Sequence, residues 1–428
     1  VWRVICDERI NKAKPASPEW PACAGCAHPQ KKGDRMKKSK IALAAAMSLC
    51  FGAAWGQAAS SVTLYGVVDV PVEYVNHMAV GAPTINPATG AITQQKGGNR
   101  FALSGGGGLS GSRWGLRGVE DLGAGMQALF VLESGFTLDD GKSGQSGRLF
   151  GRQAYVGLQS STVGKLTFGR QYTTMFDLFA NFSPTGYATL YEPVVAQLGT
   201  NFRSDNTAKY TGVFGGVTAE AHWSFGTGVG AIGTTALAGG GAGEVPGHFR
   251  DNAGYGAGVA YAGGPFGIAV AYDQWNPTVT TGSSGTARKA GAAASYAFGP
   301  AKLMAGYRWG QTKDGAGNTL LRDDYYWLGL NYQATSALGL TLAYYYDDVK
   351  NLRTSAAQPN NNQPNPWQLS VIADYNLSRR TDVYLTMAYA KNAGLNFDTS
   401  ATSFANGYFF SQGNSNQLGA ALGIRHRF

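Results

Sequence analysis

The sequence predicts an all-β fold, a sixteen-stranded antiparallel transmembrane β-barrel with long loops at one end and short turns at the other. Three observations lead there. Charged residues make up only 14% of the chain and aromatics 12%, with 61 glycines among 428 residues, whereas an ordinary soluble domain carries roughly 25% charged residues. No stretch of about 18 apolar residues occurs after residue 60, which excludes helical membrane spans. From Ser61 onward, segments of roughly ten residues alternate apolar with small or polar side chains, and their connections are alternately short and long, as in an up-and-down membrane barrel.

Alternation of period two sends successive side chains to opposite faces of a strand. It places strands near 61–75, 109–120, 126–137, 151–159, 165–171, 206–214, 217–226, 253–262, 266–275, 287–298, 302–310, 323–333, 339–349, 367–377, 382–391 and 416–428. The count is even, as antiparallel closure within one chain requires. Short turns fall at 121–125, 160–164, 215–216, 263–265, 299–301, 334–338 and 378–381. They are rich in Gly, Asp, Ser and Pro because tight turns need those residues. Polar, Gly-rich or Asn-rich loops occupy 76–108, 138–150, 172–205, 227–252, 276–286, 311–322, 350–366 and 392–415. A sheet without edges is the β structure that satisfies its backbone groups in lipid.

The last strand carries the pattern most cleanly. Leu418, Ala420, Leu422, Ile424 and Phe428 share one parity, while Gly419, Ala421, Gly423, Arg425 and Arg427 share the other. One face suits lipid and the other water; His426 interrupts the apolar face only at its edge. This strand alone would also fit a soluble sandwich, and the count of segments argues against that. Aromatics recur at strand boundaries: Tyr325–Tyr326–Trp327, Tyr344–Tyr345–Tyr346, Tyr307 with Trp309, and Tyr272 with Trp275. Sheet packing would explain any one group; their recurrence predicts aromatic girdles at the membrane interfaces.

The front of the chain reads differently. Lys37, Lys38 and Lys40 follow Met36, Ile41 to Phe51 form a short apolar core, and small residues follow, so 36–58 is expected to be a secretory signal peptide. Cleavage is expected after Ala58, with Gly56 as the alternative. A lipoprotein reading on Cys50 fails because Leu49 is not small. Residues 1–35 have no periodicity and read as translated upstream sequence, or alternatively as a disordered extension. The barrel domain is then 59–428. All four cysteines lie at 6, 23, 26 and 50; the Cys23–Cys26 spacing has no second pair, so no metal or redox site is expected. Residues 1–58 hold 10 of the 35 basic and 4 of the 26 acidic residues, leaving 25 against 22, a net of +3 for the remainder. That small excess argues against a nucleic-acid partner.

Several segments now carry a family resemblance. Ser61-Val-Thr-Leu-Tyr-Gly-Val-Val-Asp69, Gly111-Ser-Arg-Trp-Gly-Leu-Arg-Gly118 with Glu120-Asp-Leu-Gly123, and Leu132-Glu-Ser-Gly-Phe136 occur in order. Gly151-Arg-Gln-Ala-Tyr-Val-Gly-Leu158, Phe168-Gly-Arg-Gln171 and Arg203-Ser-Asp-Asn206 with Tyr210 follow. Together they resemble the general diffusion porins of Gram-negative bacteria, in the β-proteobacterial, Neisserial-type branch, from about residue 60 to the end. The resemblance implies an outer-membrane homotrimer of sixteen-stranded barrels, with short periplasmic turns and long extracellular loops, the third folded into the lumen. It implies passive diffusion of small hydrophilic solutes and ions, with outer-membrane lipid and lipopolysaccharide as surroundings and no cofactor. The terminal Phe428 resembles the signal read by barrel-assembly machinery, to which periplasmic chaperones deliver such chains.

Selectivity in a wide barrel comes from pore diameter and lining charge. The third loop, 172–205, has 34 residues and contains Phe176, Phe179, Phe182 and Tyr187, so it is expected to fold inward and bury those rings. Strand parity puts Arg113 and Arg117 in the lumen opposite Trp114 and Leu116, and likewise Lys302 and Arg308 opposite Leu303, Ala305 and Tyr307. Arg117, Arg152, Arg170 and Arg203 are expected to form a basic wall, with Asp177, Glu192 and Glu133 supplying an acidic side. For each arginine a girdle, turn or loop-anchoring role is the alternative. The loop lacks a clear Pro-Glu-x-x-Gly element of the family, which leaves its acidic partners open. The Gly105–Gly108 run has no Lys-Ser/Thr after it and reads as flexible first-loop sequence rather than a phosphate cradle. His77, His222, His248 and His426 are scattered without ligand spacing. A barrel enzyme would need a positioned base with partners, and none is visible. A substrate-specific channel or surface receptor is the second alternative. The small net charge predicts weak ionic preference, leaning to anions.

Overall fold

A computed structural model describes residues 60–86, 89, 91–229, 243–353, 357–360, 363–398 and 407–428. The expected leader, cleavage sites and cysteines lie outside the described residues. The barrel strands are β1 (Ser61–Ala79), β2 (Arg113–Gly123), β3 (Met126–Gly135), β4 (Gln153–Ser160), β5 (Gly164–Tyr172), β6 (Arg203–Phe214), β7 (Val217–Ser224) and β8 (Gly254–Gly263). They continue as β9 (Phe266–Trp275), β10 (Thr286–Phe298), β11 (Ala301–Lys313), β12 (Thr319–Gln333), β13 (Leu338–Leu352), β14 (Trp367–Asn376), β15 (Thr381–Lys391) and β16 (Asn416–Arg427). Each pairs antiparallel with the next. Closure is made by β1. Its first residues pair with β2, from Ser61 opposite Val119 to Val67 opposite Arg113. Its later ones pair with β16, from Val67 opposite Arg427 to Val75 opposite Gly419. Among the described residues no helix is long and apolar enough to cross a membrane; the strands make the crossing.

The first loop departs from expectation. Gly97–Leu103 is a further strand that runs beside the upper half of β1, from Val72 opposite Leu103 to Ala79 opposite Gly97. The Gly105–Gly108 run, expected to be flexible, is packed. Gly108 N–H donates to Asp69 Oδ1 at 3.0 Å, and a Cβ on Gly108 would sit 1.9 Å from the Tyr384 hydroxyl oxygen. Glycine fits there because the Tyr384 ring occupies the space a side chain would need, not because the chain is slack.

Parity assigns the two faces. On β16 Leu422 and Ile424 are exposed on the outside, while Gly419, Ala421, Gly423 and Arg425 are buried inside. The aromatic groups split by the same rule, which corrects the girdle expectation. Tyr325 and Trp327 point inward and are buried, Tyr326 between them points outward, and Tyr345 and Trp275 also face inward. Neighbouring residues of a strand cannot share a face, so only alternate rings reach the membrane. Those rings form an upper outer row. Tyr307, Tyr326 and Tyr346 follow one another at centroid spacings of 5.2 and 6.2 Å, and Tyr344, Trp367 and Tyr389 at 6.1 and 5.5 Å. Phe266, Tyr296 and Phe298 form a lower row near the short turns.

The outward face therefore tolerates no charge at mid-height. Val270→Arg on β9 is expected to cost about 2–4 kcal/mol in unfolding from lipid vesicles, whereas Val270→Leu is near neutral; equal stability of the Arg variant would place this face away from lipid.

Candidate functional site

The third loop leaves β5 and enters the barrel. Helix α1 (Thr174–Phe179) and a 3₁₀ turn (Ala180–Phe182) lay Met175, Leu178, Phe179 and Phe182 against Ala269, Ala271, Ala293, Tyr325 and Trp327. Burying each of these four side chains contributes about 1.5–3 kcal/mol. The wall is small where the loop is bulky. A Cβ on Gly291 would lie 2.9 Å from Phe179 Cε2, and one on Gly329 would lie 2.2 Å from Pro184 Cβ. Polar bonds then fix the height of the loop: Trp327 Nε1 donates to the Phe182 carbonyl at 2.8 Å and Asn331 Nδ2 to the Pro184 carbonyl at 2.8 Å.

The far end of the loop reaches the opposite wall. Leu190 N–H donates to the Gly108 carbonyl at 2.9 Å. The Tyr191 hydroxyl donates to Glu73 Oε1 at 2.8 Å, and Gln368 Nε2 and Ser370 Oγ donate to the Tyr191 carbonyl at 2.8 and 2.6 Å. Helix α2 (Val194–Leu198) returns along β11, where Arg308 donates to the carbonyls of Gln197 and Ala196 and pairs with Asp323 at 2.7 Å. Part of the eighth loop also turns in, with Phe397 edge-on to Tyr325 at 6.1 Å.

A cavity of about 650 Å3 lies along β2 to the start of β6. Arg113, Arg152 and Arg203 line it together with Tyr187, Glu192, Val194 and Val195 of the third loop. Glu133 sits between the first two arginines: it accepts from Arg152 Nε at 2.7 Å and the Tyr65 hydroxyl at 3.1 Å, with Arg113 Nε at 3.6 Å. The Tyr172 hydroxyl accepts from Arg152 at 3.1 Å and Arg203 at 3.2 Å. The Arg203 guanidinium also lies 4.9 Å from the Tyr172 ring centre and 4.7 Å from that of Phe202. Among the described residues, Arg203 forms no ion pair.

The remaining expected residues lie elsewhere. Arg117 is exposed, 5.4 Å from the Tyr65 ring and nearer the short-turn end. Arg170 donates to the Gly151 carbonyl at 2.7 Å and to Asp205 at 2.6 Å, which Arg148 also clamps at 2.8 Å, so it anchors the loop base. Of the expected acidic side, Glu133 stands among the arginines and Glu192 lines the cavity, whereas Asp177 lies outside it. Asp177 pairs with Lys209 behind helix α1. Glu192 is 3% exposed and accepts from Ser183 Oγ at 2.6 Å, Thr185 Oγ1 and the Ala188 N–H at 3.1 Å. A loop folded against a wall must satisfy its own donors; Glu192 does so, while Asp177 ties the loop to Lys209 of β6. Burial pushes Glu192 up to about 7. Phe428 closes the ladder: its N–H and carbonyl bond Gly66 at 3.1 Å each way, and its half-exposed ring covers that glycine. Tyr172, Arg148 and Lys209 were missed, because partners that meet only when a loop folds inward leave no spacing in the sequence.

A closed barrel, apolar outside and polar within, narrowed by an inward loop, is an outer-membrane channel. The chain belongs to the Gram-negative porin family, which matches residues 42–395. An outer membrane porin protein of Bordetella pertussis is 31% identical over 417 residues, spanning 91% of this chain and 100% of that one. Outer membrane porin protein 32 of Delftia acidovorans is 33% identical over 408 residues, spanning 92% and 100%. The solved structure of an anion-selective porin from Comamonas acidovorans superposes with a TM-score of 0.65 at 27% identity, covering 86% of this chain and 100% of that one. The protein is a bacterial outer-membrane porin of the β-proteobacterial type, a water-filled channel for passive diffusion of small hydrophilic solutes and ions rather than an enzyme.

The buried site favours the neutral form of Glu192, so its support of the loop is complete below the ordinary glutamate value of 4.5 and fades as pH rises through about 7. Open-channel current is expected to be quieter at pH about 5 than at about 8.5, and Glu192→Gln is expected to flatten that dependence. A Gln variant with the wild-type pH profile would contradict the assignment.

Proposed function

We propose that the channel favours anions, with Arg113, Arg152 and Arg203 as the charges that set its selectivity and Arg117 as a further cation toward the periplasmic mouth. One observation carries the reading: three guanidinium groups line the cavity, and of the two carboxylates near them Glu133 is paired with Arg152 and Arg113 while burial holds Glu192 toward its neutral form. In a narrow, partly dehydrated gap an unbalanced charge of this kind raises the local concentration of anions and repels cations. The porin from Comamonas acidovorans that this chain resembles is described as anion-selective, which agrees. Outside the narrow part the mature chain is nearly neutral, so the preference is modest.

The working unit in this proposal is a homotrimer. The neighbouring strands β4 and β5 have 8 and 9 residues, against 15 in β12 and β13. A membrane strand needs roughly 9–11 residues, so this low stretch of wall is better covered by neighbouring protein than by lipid.

Planar-bilayer recordings in a potassium chloride gradient test both parts. The wild-type reversal potential is expected on the anion side, with three equal closing steps at high voltage. Arg113→Glu with Arg203→Glu is expected to carry the potential across to the cation side. A cation-preferring wild type, or a double variant with an unmoved potential, would remove these arginines from the selectivity role, and single-step closure would refute the trimer.

A further inference from the structure

We propose that the narrow part of the channel is a binding site for small aromatic carboxylates, with the guanidinium groups taking the carboxylate and a stack of aromatic rings taking the ring. The proposal rests on the anion-favouring reading and adds a solute class to it. The lining opposite and between the arginines is not merely polar. Tyr172 and Phe176 lie face to face at 4.0 Å and 2°, Phe202 continues the stack at 5.4 Å and 12°, and Tyr187 flanks Phe176 at 4.5 Å and 32°. All four rings line the cavity and remain half-buried rather than sealed, unlike Phe179 and Phe182 of the same loop, which are buried against the wall. Val194 and Val195 extend the apolar surface on the loop side.

The charged and apolar parts adjoin at the spacing such a solute has. The Arg203 guanidinium is within 5 Å of two ring centres of the stack, 4.9 Å from Tyr172 and 4.7 Å from Phe202. In benzoate a single bond joins ring to carboxylate. One molecule can therefore pack its ring on this stack while its oxygens reach a guanidinium. Arg203 has no carboxylate partner among the described residues, and its Nε is buried without a hydrogen-bond partner, so an incoming carboxylate displaces no internal ion pair. Chloride, acetate or phosphate would use the guanidinium groups alone; only a ring-bearing acid uses both surfaces. Offset ring stacking is weak enough to release the solute again, which conduction requires.

The test is block of chloride current in single-channel recordings by added benzoate, with acetate as the charge-matched control. Benzoate is expected to block at a concentration about fivefold below that of acetate, and Tyr187→Ser is expected to bring the ratio of the two toward one. Tyr187→Leu, which keeps apolar volume for folding, is expected to lower the ratio as well, and Val270→Ala on the lipid face is expected to keep the wild-type ratio. Equal block by benzoate and acetate in the wild type, or an unchanged ratio in both Tyr187 variants, would overturn the site. If the wild type prefers anions yet treats the two acids alike, this inference alone fails. A cation-preferring wild type would instead overturn the underlying reading.

Discussion

A strand that crosses hydrocarbon has no water to satisfy its peptide groups, and every other feature of this molecule follows from how that constraint is met. Sixteen strands pair in sequence, and β1 joins β16, so the ladder has no free edge. Once the sheet is closed, the period-two geometry of each strand divides its side chains between lipid and lumen. Low charge, high glycine content and scattered single aromatics are what such a division looks like when read along the chain.

Closure at sixteen strands also creates a space that wall side chains cannot fill. The third loop occupies much of it, and the wall is shaped to receive the loop: alanine and glycine stand on inward positions where Leu178, Phe179, Phe182 and Pro184 approach. Hydrogen bonds from Trp327, Asn331, Gln368, Ser370 and Arg308 to loop carbonyls convert that apolar fit into a fixed position. Because the loop uses Asp177 and Glu192 in its own fixing, the opening beside β2–β6 is lined by arginines of the wall and by rings, valines and the hydrogen-bonded Glu192 of the loop. Loop packing and channel electrostatics are thus two consequences of one arrangement.

Fold class, strand number and most strand positions were legible in the sequence because alternation is local and repeated sixteen times. The inward direction of Arg113 and of Arg308 came from the same parity. The misreadings occur where a residue's partner is remote. Gly105–Gly108 looked slack, yet Tyr384, some 276 positions further on, fills the space a side chain would need. Tyr325 and Trp327 looked like membrane anchors beside Tyr326, and parity applied to that triplet would have turned two of the three inward. Glu192 reads as an acid facing the arginines, and its hydrogen bonds are not legible because Ser183, Thr185 and Ala188 converge on it only after the loop has folded.

The central claim is that the tip of the third loop spans the lumen and is held against the segment leading into β2. Residues 59–428 contain no cysteine, so in that stretch an introduced pair is the sole source of thiols. A Cβ on Gly106 would lie 3.8 Å from Thr189 Cγ2, so side chains at the two positions are in van der Waals contact. The most direct measurement is disulfide formation in Gly106→Cys with Thr189→Cys, followed by single-channel conductance before and after reduction. The account predicts ready oxidation and the same conductance in both states, since the bond would lock a contact already made. Failure to cross-link, or a channel that changes its conductance when the bond is formed, would contradict it.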